Sequence, residues 1–337
     1  MKNFLLVANP TAQSGKNAER IASATVAFTA AGAHAALFET LPDAQTVPML
    51  RAHLERATTL PDAVIAMGGD GTFREVAAAL LELPADRRPP LGMLPTGTAN
   101  DQGKSFGLEA TPEALARNVE VILAGRETSL DAGLVEACAA DGTVERTDAF
   151  FDSFGWGLTA RVLHVRNQDR EAVQELGLLR ELYRDHLVYA GAFMKKFIDS
   201  YIEPDKFTAH LRVDDTHVVV SGLTDLVVQA TRVFAGSFIL DPRARHDDGQ
   251  FELIPFVGKR DWVSKALVAL DANPLREEDL NEIGIEHSKN MQGARFEVEL
   301  RPEGTVPVYA QMDGEEFPTA ARYRISVLPR AIRLLIP

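Results

Sequence analysis

Ala63-Val64-Ile65-Ala66-Met67-Gly68-Gly69-Asp70-Gly71-Thr72-Phe73-Arg74-Glu75 is the stretch that decides the fold of this chain. Its first residues are a short apolar run, bounded by glycine, that reads as a buried strand. Val76-Ala77-Ala78-Ala79-Leu80-Leu81 follows and reads as a helix. Three glycines between them, Gly68, Gly69 and Gly71, let the backbone turn sharply and approach a ligand closely. A helix N-terminus offers unpaired N–H groups and a positive dipole, so phosphate is its natural ligand. Asp70 puts a carboxylate into that site, and a carboxylate beside phosphates calls for a cation between them, usually Mg²⁺. The stretch therefore points to nucleotide-dependent phosphoryl transfer. The plain alternative is a glycine-rich turn whose Asp or Thr caps the next helix.

The same texture continues outward. Phe4-Leu5-Leu6-Val7 is strand-like and Ala18 to Ala31 helix-like; Ala35 to Thr40 is strand-like and Asp43 to Thr58 mostly helix-like. Thr72 to Leu83 reads as a helix, Leu91 to Leu94 as a strand and Pro112 to Leu123 as an amphipathic helix. Repeated β-α units predict an open parallel sheet with helices on both faces. From about Leu130 the chain turns strand-rich. Phe207–Val213, His217–Ser221, Asp225–Val228, Phe251–Ile254, Arg295–Leu300 and Tyr323–Val327 are short runs joined by turns such as Asp214-Asp215 and Asp248-Gly249. These predict an antiparallel sandwich or barrel. Two helical insertions are expected within it, at Leu176–Tyr201 and Trp262–Asp271. The 337 residues thus divide into an α/β domain over 1–130 and an all-β domain over 131–322, with residues 323–337 candidates to return to the first.

Composition narrows the function classes. A hydrophobic content of 46% suits a full globular core. The single cysteine, Cys138, rules out a disulfide framework and fits a reducing compartment; it reads as a buried or idle thiol. The opening residues Met1 to Pro10 are too short in apolar length for a signal peptide and read as a first buried strand. No run of about 18 apolar residues exists to span a membrane. A net charge of −13 and a pI near 5.1 argue against general nucleic-acid binding. They also disfavour attraction of the whole protein to anionic lipid, leaving only a local basic patch for that role.

Two more loops follow strands of the first domain. Asn9-Pro10-Thr11-Ala12-Gln13-Ser14-Gly15-Lys16 comes after the first, and Pro95-Thr96-Gly97-Thr98-Ala99-Asn100-Asp101 after the strand at Leu91. Loops at strand C-terminal ends converge in one crevice, where open α/β sheets bind ligands. The set N-P-T…S-G-K, G-G-D-G-T and P-T-G-T-A-N-D resembles the diacylglycerol kinase catalytic-domain family, which includes bacterial lipid kinases, sphingosine kinases and ceramide kinases. The second half is similar as well. Asp131-Ala132-Gly133 resembles the family's D-x-G. Phe154 to Ala160 resembles its G-x-G-x-x-A, with Asp152 near the place of a usual Asn. Leu240 to Gly249 is similar to P-x-A-x-x-x-D-G, and Gln311-Met312-Asp313-Gly314-Glu315 carries D-G-E.

That resemblance implies an N-terminal nucleotide domain, a C-terminal β-sandwich and an active site in the cleft between them. It implies ATP and Mg²⁺ as cofactors and a neutral lipid, diacylglycerol foremost, as acceptor. ATP is expected at Asn9, Pro10, Thr11, Gly15, Lys16, Thr40, Gly68, Gly69, Asp70, Gly71, Thr72, Phe73, Arg74, Thr98 and Asn100. Asp70, with Asp101 and Asp131, is expected to act through Mg²⁺. Glu315 is expected to take the hydroxyl proton, with Asp313 in the same turn as the rival base. A structural Mg²⁺ is expected on Asp248 and backbone oxygens of Arg245 and Gln250. A cytoplasmic protein that touches the membrane transiently, without nucleic acid and with a homodimer as one option, completes the expectation.

Some residues stay open. Lys104 holds phosphate or lipid headgroups, or is a solvated loop lysine. Leu176–Tyr201 is an interfacial element or simply core; Arg161 to Lys196 holds seven Lys/Arg against five Asp/Glu. The rivals in function are a soluble-substrate kinase of the NAD kinase or phosphofructokinase type, which shares the Gly-Gly-Asp-Gly loop, and a non-catalytic nucleotide sensor. Asn281-Glu282-Ile283 resembles an NAD kinase motif only superficially, and a sensor would be expected to lack Asp70 or Glu315.

Overall fold

The computed structural model describes residues 1–42, 44–168, 205–236, 238–258, 261 and 289–337. The expected helical insertions at Leu176–Tyr201 and Trp262–Asp271, and the Asn281-Glu282-Ile283 stretch, lie outside these. Along the chain come β1 (Asn3–Ala8), α1 (Lys16–Ala30), β2 (His34–Glu39), α2 (Thr46–Arg56), β3 (Ala63–Gly68), α3 (Asp70–Leu81), β4 (Leu91–Pro95), α4 (Asp101–Ser105), α5 (Ala114–Ala124) and β5 (Glu127–Cys138). Then follow β6 (Val144–Phe150), β7 (Ser153–Gly157), α6 (Leu158–Gln168), β8 (Phe207–Val213), β9 (Thr216–Leu223), β10 (Asp225–Gln229) and β11 (Phe251–Phe256). The last are β12 (Met291–Gly293), β13 (Arg295–Pro302), β14 (Ala310–Met312), β15 (Glu315–Phe317) and β16 (Arg322–Leu335). They form two compact units. One is Met1–Ala132 with His246–Asp248 and Leu328–Pro337; the other is Gly133–Arg245 with Gly249–Val327.

In the first unit the strands run β2-β1-β3-β4 and then the end of β16, all parallel. Alternation sends Phe4, Leu6 and Ala8 of β1 and Ala63, Ile65 and Met67 of β3 into one core with Ile21, Ala24 and Phe28 of α1 and Val119 and Ile122 of α5. α3 packs against β1, β3 and β4, with α2 beside it. This is the expected parallel sheet.

The helix bounds differ slightly from the sequence reading. α3 begins at Asp70 rather than Thr72, because Gly71 tolerates the helical turn and Phe73 N already donates to Gly69 O at 3.1 Å. α2 begins at Thr46, whose buried hydroxyl bonds the backbone of Leu41, and Pro48 sits in the first turn where its missing N–H costs nothing. α5 stops at Gly125, a left-handed residue with φ 69°.

The second unit is antiparallel throughout. One sheet runs β12-β11-β10-β7-β14-β15. Another takes the first residues of β16, then β13, β8 and β9. Both turn apolar residues into a shared core: Phe154, Trp156, Leu226, Val228 and Leu253 from the first, Phe207, Leu211, Phe296, Val298 and Tyr323 from the second. That is a β-sandwich, as the alternating runs predict. Rings meet edge to face at its centre, Phe154–Trp156 at 5.0 Å and Trp156–Tyr323 at 5.2 Å. The Tyr323 hydroxyl accepts from Ala320 N and donates to Pro318 O, and burial pushes its pKa up to about 12. Cys138 is buried, as expected.

Asp225 opens β10 fully buried. Its two oxygens accept from Thr159 N and Thr159 Oγ1, both at 3.1 Å, at the first turn of α6. Burial raises its pKa well above the ordinary carboxyl value; these bonds only partly offset that. Because folding raises this pKa, the carboxyl's contribution to stability is whole below the unfolded value and is lost as pH climbs through the folded one. Asp225→Asn is therefore expected to gain thermal stability relative to wild type as pH rises from acidic to mildly alkaline. Paired melting curves check this; a difference that stays constant with pH would show that Asp225 does not titrate there.

Candidate functional site

Three loops of the first unit leave the C-terminal ends of β1, β3 and β4. The β1 loop is folded on Asn9, whose Oδ1 accepts from Thr11 N at 2.9 Å and Thr11 Oγ1 at 2.8 Å. Asn17, in the first turn of α1, donates to Asn9 O at 2.7 Å, and Gly15 turns into α1 with φ 88°. The β4 loop is tied to the β3 loop by Thr96 N and Gly97 N, which donate to Gly68 O at 2.8 and 3.2 Å. Asn100, left-handed with φ 53°, closes the β4 loop: its Oδ1 accepts from Gly97 N and its Nδ2 donates to Gly97 O. Arg20 of α1 reaches Thr96 O at 3.0 Å, so α1 also holds the β4 loop.

Gly69 and Gly97 meet where the two loops cross. A Cβ on Gly97 would lie 2.4 Å from Gly69 Cα, and one on Gly69 3.2 Å from Gly97 Cα. Neither glycine has room for a side chain there, so the two loops meet backbone to backbone.

Asp70 is the first residue of α3, next to this crossing. Its Oδ1 accepts from Gln102 N at 3.2 Å, so it faces the start of α4, where Asp101 is buried. Burial raises the Asp70 pKa, while the amides of Gln102, Asn100, Asp70 and Asp101 pull it down. A half-buried carboxylate whose charge is opposed by burial fits a divalent cation, which would supply the missing compensation. Asp131 is not brought to Asp70 and Asp101 as a third ligand. Fully buried on β5, it accepts from Arg330 N at 2.6 Å. Among the described residues no three His, Cys, Asp or Glu side chains are grouped to hold a metal.

Other expected residues fall as follows. Thr40 follows β2, its N donating to Ala8 O at 3.0 Å. Pro10 and Thr72 are half-buried, and Thr98 is exposed. Arg74 is half-buried on α3, while the Phe73 side chain is buried, so Phe73 can offer a ligand only backbone. The Lys16 side chain lies outside the described set; Lys104 is half-buried in α4. Asp248 belongs to the first unit and Arg245 and Gln250 to the second, all three exposed. His246, just before Asp248, is held by Thr128 Oγ1 at 3.3 Å and by the Phe106 ring at 4.8 Å.

Asp313 and Glu315 lie in the second unit. β14 and β15 form a hairpin in which Met312 pairs with Glu315 across the two-residue turn Asp313-Gly314. Both turn residues have positive φ, 49° and 78°, as the favoured Asp-Gly hairpin turn requires. Yet Asp313 is buried, and its carboxylate accepts from the backbone N–H of Phe151, Asp152 and Ser153 at 2.8 to 3.2 Å. Its own N donates to Ser153 O at 2.8 Å. Glu315 is exposed at the start of β15. The turn thus separates the two carboxylates: one clamps backbone and the other faces solvent.

Sequence reasoning missed Asn17 and Arg20, which brace the loops, and Gly97, which makes room for the crossing. Gly97 stands in the quoted Pro-Thr-Gly-Thr loop, but only the meeting with Gly69 shows why it is glycine. No signal marks Asn17 or Arg20.

Residues 3–135 match the model of the diacylglycerol kinase catalytic domain, so this segment of the chain is similar to that family. It is 28% identical over 274 residues to Probable lipid kinase YegS of Shigella dysenteriae serotype 1 (strain Sd197), covering 81% of this chain and 78% of that protein. It is 46% identical over 77 residues to Probable lipid kinase YegS-like of Yersinia pestis (strain Pestoides F), a match covering 23% of this chain and 25% of that one. A solved diacylglycerol kinase from Bacillus anthracis str. Sterne shares the fold at a TM-score of 0.67 with 16% identity, over 100% of this chain and 97% of that one.

Gly97→Ala is expected to force the two loops apart. Overpacking of this kind costs roughly 2 kcal/mol, about 4–8 °C in melting temperature for a unit of this size. Gly304→Ala, where a Cβ meets nothing within 4 Å, is the control. Scanning calorimetry of both variants decides; a Gly97→Ala protein that melts like the control would refute the crossing as a constraint.

Proposed function

We propose that this protein is an ATP- and Mg²⁺-dependent lipid kinase that phosphorylates a hydroxyl of a neutral lipid, with diacylglycerol giving phosphatidic acid. One observation carries this reading: the side-chain-free crossing of Gly69 and Gly97 with Asp70 at the start of α3, inside the segment that matches the kinase domain. The names of the relatives support lipid as the acceptor class. Such an enzyme meets its substrate at a membrane surface by transient contact. No described helix is long and apolar enough to cross a membrane.

In this proposal the loops at Asn9 to Lys16, Thr40, Gly68 to Arg74, Thr98 and Asn100 bind ATP, using backbone N–H groups and the α3 dipole. Asp70, with Asp101, would hold the divalent cation, which neutralises phosphate charge when bound. The lipid oxygen forms a bond to the γ-phosphorus, the bond to the β–γ bridging oxygen breaks, and the hydroxyl proton passes to Glu315. Asp313 is unsuited to that task, because its oxygens are already occupied by three N–H groups. Exposure of Glu315 suits a group that must meet a substrate.

Transfer of labelled phosphate from ATP to a panel of lipids in mixed micelles tests the reading, with NAD in parallel. Asp70→Asn should lower turnover roughly a thousandfold or more. Glu315→Gln should lower it by about two to four orders of magnitude with ATP binding retained. Wild-type turnover in Asp70→Asn would sink the assignment, and phosphorylation of NAD alone would replace lipid by a soluble acceptor.

A second cation at the Asp248 turn belongs to the same proposal. One carboxylate with two main-chain oxygens is an all-oxygen donor set, which suits a hard cation. Calorimetric titration with Mg²⁺ should show one site fewer in Asp248→Ala. An unchanged stoichiometry would remove that site.

A further inference from the structure

We infer that Gln311 is a positioning residue that sets the orientation of Glu315, and that Gly155 is glycine to admit it. The inference rests on the reading of Glu315 as the base. Gln311 is the central residue of β14 and lies directly across from Gly155 of β7. Partners in register point to the same face of a sheet. A Cβ on Gly155 would lie 3.0 Å from Gln311 Nε2, tighter than ordinary packing allows. The missing side chain is thus the space the Gln311 amide occupies.

That amide is buried at 2% exposure and has both ends engaged. Its Oε1 accepts from Gly314 N at 2.9 Å. Its Nε2 donates to Ser153 Oγ at 3.4 Å, at the long end of the range. Gly314 lies between the paired residues Met312 and Glu315, where the strand ladder offers its N–H no partner. Gln311 fills that gap and so fixes the peptide plane immediately before Glu315. On the other side of the turn, Asp313 is fastened to the backbone of Phe151 to Ser153. The hairpin that carries Glu315 is therefore held at both turn residues by buried side chains, and both anchors end on Ser153.

The two anchors differ in what their loss does. Removing Asp313 leaves three buried N–H groups without an acceptor, which threatens folding itself. Gly314 is exposed, so water can take the place of Gln311 at its N–H. A substitution at Gln311 that keeps the volume should therefore spare the fold and disturb only the aim of Glu315. Misplacement of a reacting group by about 1 Å can cost a hundredfold in rate.

Gln311→Met keeps shape and removes the acceptor. With ATP and diacylglycerol in mixed micelles, its kcat should fall roughly tenfold to a hundredfold. KM for ATP should stay within about twofold, and the melting temperature should stay close to wild type. The decisive comparison is the same substitution in the Glu315→Gln background. If Gln311 acts through Glu315, it costs nothing further there, because the group it positions no longer accepts a proton. An equal loss in both backgrounds, or no loss in the wild-type background, would overturn the positioning role while leaving the base assignment intact. Full turnover in Glu315→Gln alone would overturn the base assignment, and the role of Gln311 with it.

Discussion

The first unit depends on one contact without side chains, between Gly69 and Gly97. β3 and β4 are parallel neighbours whose ends are in register, Gly68 beside Pro95. Neighbouring strands lie only about 4.8 Å apart, so the loops that leave their C-terminal ends must share little space. Gly68 O accepting from Thr96 N and Gly97 N draws them closer still. What results is a backbone surface beside the N-terminus of α3, with Asp70 as its nearest carboxylate. The helix end and the half-buried Asp70 carboxylate are brought together only because the loops cross closely.

The second unit meets the opposite problem. Between β6 and β7 the backbone of Phe151, Asp152 and Ser153 turns into the interior, where N–H groups need acceptors. Asp313 supplies them with one carboxylate. That service removes Asp313 from solvent and leaves Glu315, two residues on, outside. A turn that reads as Asp-Gly-Glu thus gives its two acids different surroundings, one among backbone N–H groups and one exposed. Gln311 extends the division by holding Gly314 from within the sheet.

Much of this was legible because it is periodic or local. The β-α alternation of the first half and the short alternating strands of the second follow from side-chain periods that survive in any context. The glycine loops at β1, β3 and β4 were legible for the same reason, since a glycine-rich turn is built from consecutive residues. Helix starts at Thr46 and Asp70 were less so. They depend on a buried threonine hydroxyl and on how far Gly71 joins the helix, and neither is a pattern. The role of Asp131 was expected to be at the metal, but its carboxylate accepts from Arg330 N, 199 residues away in sequence.

The sequence by itself determined the class of each half, the place of its glycine loops and the acids that it carries. It could do so because strand and helix periods, turn glycines and carboxylates are properties of neighbouring residues. Only the tertiary structure decided what each acid does. Asp70 faces the start of α4, Asp131 anchors a closing strand, Asp313 clamps backbone and Glu315 stays exposed. A carboxylate's role is set by which N–H groups surround it and by how much water it keeps. Those partners come from residues up to 199 positions distant, brought close only when the sheets form.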